Sequence, residues 1–283
     1  MMKIGIESAA YISRYGLAEG LRKMKAHGYE CVDYQDFIHT ETELFRVSDA
    51  EFERRLLEEK TAYAEAGIEI FQTHGPWRYP PQDGTEEDRT ERFEKMAKSV
   101  YGTRLLGCKN FVIHPIMPYG PGANPEPERF MELNYAFMEK LCGVGRENGV
   151  VINLENMPFP ALSLSRASEI LEFVKNMNSE WLRVCLDTGH CVVCGESPAE
   201  AVRMIGKEYL CTLHVHDNNG ADLHWIPYTG KIDWDGFTAA LLEIGYDGAM
   251  SLETAIPGKI PAEARELQEI SLFRIAKKIA GRS

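Results

Sequence analysis

No window of the 283-residue chain approaches the run of about 20 apolar residues that a membrane-spanning helix needs. The opening MMKIGIESAAY has one lysine and too short an apolar run for a secretory signal. Those two features predict a cytoplasmic protein with no membrane partner. Basic residues are few: 31 Lys and Arg stand against 43 Asp and Glu, a formal net charge of −12. That balance disfavours a nucleic-acid surface, because neutralised phosphates supply most non-specific affinity. No low-complexity tract or charge block argues for disorder. The first strand-like run, KIGIES, lacks a following Gly-rich phosphate fingerprint, which counts against a dinucleotide-binding open sheet. The seven cysteines are odd in number and lie mostly in apolar runs, as reduced, buried thiols do. Cys191-Val-Val-Cys194 is a single isolated CxxC and is weak grounds for a zinc or redox site.

What the chain does contain is a repeated alternation. With 44% hydrophobic and 26% charged residues it can bury a sizeable core. Short β-rich runs at 3 to 8, 29 to 36, 68 to 75, 110 to 115, 150 to 156, 182 to 190, 209 to 218 and 248 to 254 are separated by amphipathic stretches. Helical patterns such as DAEFERRLLEEKTAYAEAG, EEDRTERFEKMAKSVYGTRLLG and DWDGFTAALLEIG end in a glycine suited to a left-handed cap. The junctions EAGIEI, LLGCKNFVI, ENGVVINLE and EIGYDGAMSLE repeat one unit, from helix end through glycine into an apolar strand. Eight βα units in roughly 250 residues predict a single (β/α)8 TIM barrel domain, with an open doubly wound sheet as the alternative. The predicted domain covers residues 1 to 283.

In such barrels the chemistry sits at the C-terminal ends of the strands. Those ends here carry Thr73-His74-Gly75-Pro76, His114-Pro115, Glu155-Asn156, Asp187-Thr188-Gly189-His190, LHVHDNNGADLH (213 to 224) and Glu253-Thr254. A single His at a strand end is usually a hydrogen-bonded structural residue, and a lone Glu pairs with a nearby Arg. The convergence is what matters. Two like charges 4 Å apart repel by about 4 kcal/mol at an effective dielectric of about 20. Glu155, Asp187 and Glu253 in one space therefore need a cation, proton uptake or basic partners. Lys and Arg are sparse at these strand ends while imidazoles are abundant, which points to a divalent metal. Three carboxylates and one imidazole suit Mn²⁺, Mg²⁺ or Co²⁺, and more histidines would favour Zn²⁺. Strand alternation puts His214 and His216 on one side, with His216 nearer the mouth.

The loops after strands three, four, five and seven carry Trp77-Arg78-Tyr79, Tyr119, Met157-Pro158-Phe159 and Trp225. Aromatic faces with a few charged groups are what sugar rings need, although loop packing or an oligomer contact would use the same residues. The stretch HPIMPYGPGANPEPERF (114 to 130) is too proline-rich for helix and predicts a lid-like cover. Pro257-Gly258-Lys259 follows strand eight, where barrels often bind phosphate.

In order, THGP, VIHP, NLEN, CLDTGH, LHVHDN, GKIDW (230 to 234) and SLET resemble the xylose-isomerase-like TIM barrels over nearly the whole chain. That superfamily contains sugar isomerases and epimerases and the endonuclease-four class of abasic-site nucleases. In its ketose 3-epimerase branch the resemblance implies one Mn²⁺ or Co²⁺ on Glu155, Asp187, a strand-seven His and Glu253. Glu155 and Glu253 would exchange a carbon-bound proton from opposite faces of an enediolate. His74, His114, His190, His216 and Trp77 would contact substrate. The His-x-x-Asp spacing from His214 to Asp217 resembles the superfamily's strand-seven motif and favours His214 as the ligand. An Arg common shortly after that His in this branch is missing, with Asn218, Asn219 or His224 as substitutes.

In the nuclease branch a three-metal cluster would map onto His74, His114, Glu155, Asp187, His190, His214, Asp222, His224 and Glu253. Asp222 and His224 therefore separate the two readings. As ligands they point to a multi-metal phosphoesterase, and free of metal to a one-metal sugar enzyme. The favoured expectation is a metal-dependent isomerase or epimerase acting on a small ketose or keto-polyol, with a homo-oligomer left open. A third reading is a sugar lyase or partner subunit that keeps the barrel and needs a second chain.

Overall fold

In the computed structural model, which describes residues 1 to 254, 256 and 259 to 282, each expected β-rich run contains a strand. β1 (Lys3–Glu7) leads to α1 (Ala9–Tyr15) and α2 (Leu17–His27), and β2 (Cys31–Tyr34) leads to α3 (Asp49–Ala66). β3 (Glu69–His74) precedes α4 (Glu86–Leu106), and β4 (Asn110–Ile113) precedes α5 (Pro127–Asn148). β5 (Val151–Glu155) and α6 (Ala167–Met177) are followed by β6 (Leu182–Asp187), α7 (Thr188–Val193) and α8 (Pro198–Tyr209). The last elements are β7 (Leu210–His214), α9 (Trp234–Ile244), β8 (Ala249–Leu252) and α10 (Ala262–Ile279).

All ladders are parallel and run in the order β7-β6-β5-β4-β3-β2-β1-β8, so neighbours in sequence are neighbours in space. A doubly wound sheet reverses its strand order partway, and this one does not. The fold is a (β/α)8 TIM barrel. Its closure between β7 and β8 is slight: one bridge joins Val215 to Leu252. At that bridge Val215 N donates to Ser251 O (2.9 Å) and Glu253 N donates to Val215 O (3.1 Å).

The repeated junction works as its glycines predict. Gly107 (φ 81°) and Gly149 (φ 67°) end α4 and α5 in the left-handed region, which turns the chain at once into β4 and β5. At the other end of α4, Thr85 and Asp88 form a reciprocal capping box, each bond 3.1 Å.

Three boundaries differ from the expectation. Strand six stops at Asp187, because its carboxylate accepts from His190 N (2.6 Å) and caps α7. Residues 188 to 190 are thus helical. Strand seven ends at His214, beyond which Val215 and Asp217 make only isolated bridges. The proline-rich stretch contains no helix up to Glu126, yet its last four residues are the first turn of α5, since Pro127 sits where no N–H is needed.

All seven cysteines are free, and the CxxC pair is packed into the protein. The Cys194 thiol donates to Met157 O at 3.3 Å, and burial pushes it up to about 12. Among the described residues no helix is long and apolar enough to cross a membrane. Pro257 and Gly258, and with them the phosphate-loop expectation, lie outside the described residues.

A buried ion pair ties the loops after β3 and β4 together. Arg92, on α4, pairs with Asp83, and its guanidinium also donates to His114 O (2.9 Å) and Pro115 O (3.3 Å). Arg92→Leu would leave Asp83 buried and unpaired and is expected to cost ~3–5 kcal/mol, read from the urea unfolding midpoint. An unchanged midpoint would show that the pair does not hold these loops.

Candidate active site and metal centre

The strand ends bring five histidines, Asp187, Glu155 and Glu253 into one buried group. Glu155, at the end of β5, is its hub. One carboxylate oxygen lies 3.0 Å from His214 Nδ1 and 3.5 Å from His190 Nδ1. The other lies 3.2 Å from His114 Nε2 and 3.5 Å from His74 Nε2. Glu253, just past β8, reaches the same His214 Nδ1 at 3.2 Å.

Four imidazoles share a pattern. His74 and His190 donate through Nδ1 to Gly75 O (2.8 Å) and Asn156 O (2.7 Å), and His224 donates through Nδ1 to Glu253 O (2.8 Å). His214 donates through Nε2 to the Asp33 carboxylate at 2.8 Å. The acceptors fix which nitrogen of each ring is held, and each ring turns its other nitrogen toward carboxylates. Metal-ligating histidines are held in the same way.

A test of fit comes from atoms left over. Glu155 Oε2, Asp187 Oδ2, His214 Nδ1, His216 Nε2 and Glu253 Oε2 are buried and make no hydrogen bond. Such lone pairs are costly to bury without a partner. Glu155, Asp187, His214 and Glu253 can offer ligand atoms within 4.8 Å of one another, and so can His74, Glu155 and His214. These residues fit a divalent cation.

A second group of possible ligands lies beside the first. His190, His216, Asp222 and His224 also bring ligand atoms within 4.8 Å of one another. Asp222 lies 3.2 Å from His224 Nε2 and 3.6 Å from His190 Nε2. His216, expected to touch substrate, is fully buried and is not among the residues lining the cavity. Its ring stacks on His224 (centroids 4.1 Å, 12°), and its Nε2 lies 3.1 Å from Asp187. Gly189 leaves the room for it, since a Cβ there would meet the His216 ring at 2.0 Å.

The charges compensate one another. Burial alone would push the Glu155 carboxyl up, yet the His214 and His114 rings hold it well below its ordinary range. Burial opposes charge on His190, but Asp187 and Asp222 raise the ring to about 9. His224 rises to about 11 against burial, through Asp222 and Glu253. At His114 burial wins over Glu155, and the ring falls to about 4.

Sequence reading missed the contributions of the first two strands. Asp33 is fully buried in β2, holds His214, and accepts from Gln72 Nε2 at 3.0 Å. Glu7, paired with Asp33 across the β1–β2 ladder, is pushed up to about 8 by burial and by Glu253. The available signal was a lone acid within the apolar run CVDY and another closing KIGIE. Asp217 has a structural task. It accepts from Gly230 N (2.9 Å), Ile232 N (3.3 Å) and Trp234 Nε1 (2.9 Å), which ties the GKIDW segment to strand seven.

Above the carboxylates opens a cavity of about 580 Å³. Trp77, Tyr79, Met157, Pro158 and Phe159 line it as expected, and so do Pro121 and Gly122 of the proline-rich stretch. Tyr119 instead packs on Phe130, and neither it nor Trp225 is among the lining residues.

A barrel with buried carboxylates and imidazoles at its C-terminal mouth defines a class, and the comparisons place the chain within it. Residues 21 to 274 match the family model for the xylose isomerase-like TIM barrel, and the chain belongs to that family. It is 27% identical over 262 residues to an uncharacterized protein of Methanocaldococcus jannaschii, covering 89% of this chain and 83% of that one. It is 31% identical over 195 residues to a D-psicose 3-epimerase of Ruminiclostridium cellulolyticum, covering 66% of this chain and 64% of that protein. Among solved structures, a 3-keto-D-glucoside 4-epimerase from E. coli superposes with a TM-score of 0.77 at 18% identity, covering 97% and 99% of the two chains.

Two predictions follow from the geometry. Burial opposes charge on His214, but Glu155 and Glu253 raise the ring well above its ordinary range, so a cation entering the group of Glu155, Asp187, His214 and Glu253 at pH 7.5 would displace a proton and bind more tightly as pH rises. Calorimetry in buffers of different ionisation enthalpy should show at least about one proton released per bound ion, and zero release would refute this. Gly189→Ala is expected to displace His216 from Asp187 and so lower metal retention at the group that Asp187 shares with Glu155, His214 and Glu253. A variant with full metal content after dialysis against a weak chelator would contradict that.

Proposed function

We propose that the protein is a metal-dependent epimerase or isomerase of keto sugars. The observation that carries this reading is the pair Glu155 and Glu253. Both line the cavity, and both approach one nitrogen of His214, at 3.0 and 3.2 Å. Glu155, Asp187, His214 and Glu253 would hold a divalent ion, with Mn²⁺ the first choice and Co²⁺, Mg²⁺ or Zn²⁺ as alternatives. Such an ion would supply Lewis acidity toward the oxygens of the sugar. One of the two carboxylates takes the proton from the carbon beside the carbonyl, and the C–H electrons pass into an enediolate. The other returns a proton to the opposite face, which inverts the centre. His74, His114, His190 and Trp77 would orient the sugar at the cavity floor. Similarity to a D-psicose 3-epimerase and to the fold of a 3-keto-D-glucoside 4-epimerase supports the same class.

One observation favours a second reading. Asp222 and His224 converge with His190 and His216, which is the arrangement a multi-metal phosphoesterase would use.

Metal analysis followed by incubation with a panel of ketoses in heavy water separates the two. The epimerase reading expects one tightly held ion per chain and deuterium at the carbon next to the carbonyl. Three zinc ions, no deuterium incorporation and turnover of bis(p-nitrophenyl) phosphate would establish the phosphoesterase instead. Glu155→Gln and Glu253→Gln are each expected to slow exchange by about 10²- to 10⁴-fold with an unchanged circular dichroism spectrum. Retained exchange in either variant would rule out the two-carboxylate mechanism.

A further inference from the structure

The cavity is larger than a free ketose requires. Its volume is about 580 Å³. Pockets of about 300–1,000 Å³ hold drug-sized ligands, which are larger than a single hexose. The inner end carries the carboxylates and imidazoles, and the remaining wall is apolar, with Trp77, Tyr79 and Phe159 set among Ile38, Met157 and prolines. Trp77 meets the His114 ring edge-on at 4.9 Å, Tyr79 lies 6.2 Å from Trp77, and Phe159 lies 5.5 Å from Tyr79. The run therefore starts at an imidazole of the inner group, passes Tyr79, which is 64% exposed, and closes on the buried Phe159.

Charge narrows the occupant further. Among the described residues lining the cavity there is no Lys or Arg. Arg78 sits between two of the rings in sequence but turns away, donating to Thr40 Oγ1 at 3.1 Å and to the Glu91 carboxylate at 3.2 Å. A phosphate at the outer end would lie on aromatic faces without the cationic partners that phosphate sites use.

We propose that the substrate is a keto sugar bearing an uncharged, apolar or aromatic aglycone. The sugar sits against the inner group and the aglycone lies along Trp77, Tyr79 and Phe159. The identity of the sugar's reaction rests on the epimerase reading, whereas the aglycone subsite is tested by binding alone. Stacked or edge-on rings add affinity beyond the area they bury.

The test is calorimetric titration of the Mn²⁺-loaded protein with phenyl β-D-glucopyranoside, methyl β-D-glucopyranoside, D-fructose and D-fructose 6-phosphate. The phenyl glucoside is expected to bind about tenfold more tightly than the methyl glucoside. Tyr79→Ala combined with Phe159→Ala should reduce it to the methyl level, and fructose 6-phosphate should gain nothing over fructose. Equal affinity for the two glucosides in the unaltered protein overturns the proposal, and so does a tenfold preference for the phosphorylated ketose. Absence of deuterium exchange with every keto sugar would remove the epimerase reading alone, and the glucoside comparison would still decide the subsite.

Discussion

An imidazole has two nitrogens, and if one is to meet a metal the other must be held by an acceptor. Without one, that nitrogen stays buried with an unmade hydrogen bond. In this barrel the acceptors are chiefly strand-end carbonyls: Gly75 O for His74, Asn156 O for His190 and Glu253 O for His224. Asp33 serves His214 from β2. Ring orientation and the direction of the other nitrogen are therefore set by strand register. A shift of any one strand would turn a ligand into a donor pointing the wrong way.

Carboxylates are shared out in a similar manner. Asp187 gives one oxygen to the N-terminus of α7 and keeps the other toward His216. Asn156 fixes the same strand end by exchanging two bonds with the Asp187 backbone, at 2.8 and 3.1 Å. Glu155 divides its oxygens between two pairs of histidines. A substitution at Glu155 thus alters the surroundings of four rings at once, and its effects should not add simply to those of its neighbours.

Much of this was legible in the chain. Helix-ending glycines announced the βα units, and the chemistry-bearing residues stood where a barrel puts its strand ends. Other features depended on contacts that no local pattern encodes. Asp33 and His214 are 181 positions apart and meet only because β2 and β7 face each other across the barrel. Gln72 bridges the same gap, donating to Asp33 and, at 3.4 Å, to Leu213 O. The start of α7 was hidden because Thr188-Gly189-His190 follows the β-rich run LRVCLD directly, and the Asp187 cap starts the helix there. His216 looked like a mouth residue on strand alternation. The strand ends two residues earlier, and the ring is buried in a stack with His224.

The slight closure between β7 and β8 has a consequence for stability. His214 lies on the β7 side of that seam and Glu253 on the β8 side, so a cation held by both acts as a clasp across the barrel's least bonded edge. Ions that bind only the folded chain stabilise it by mass action. The gain would fall at the seam that a single bridge closes, so the barrel without an ion would loosen first along that line. The same clasp that would position a sugar would also decide whether the cylinder stays shut.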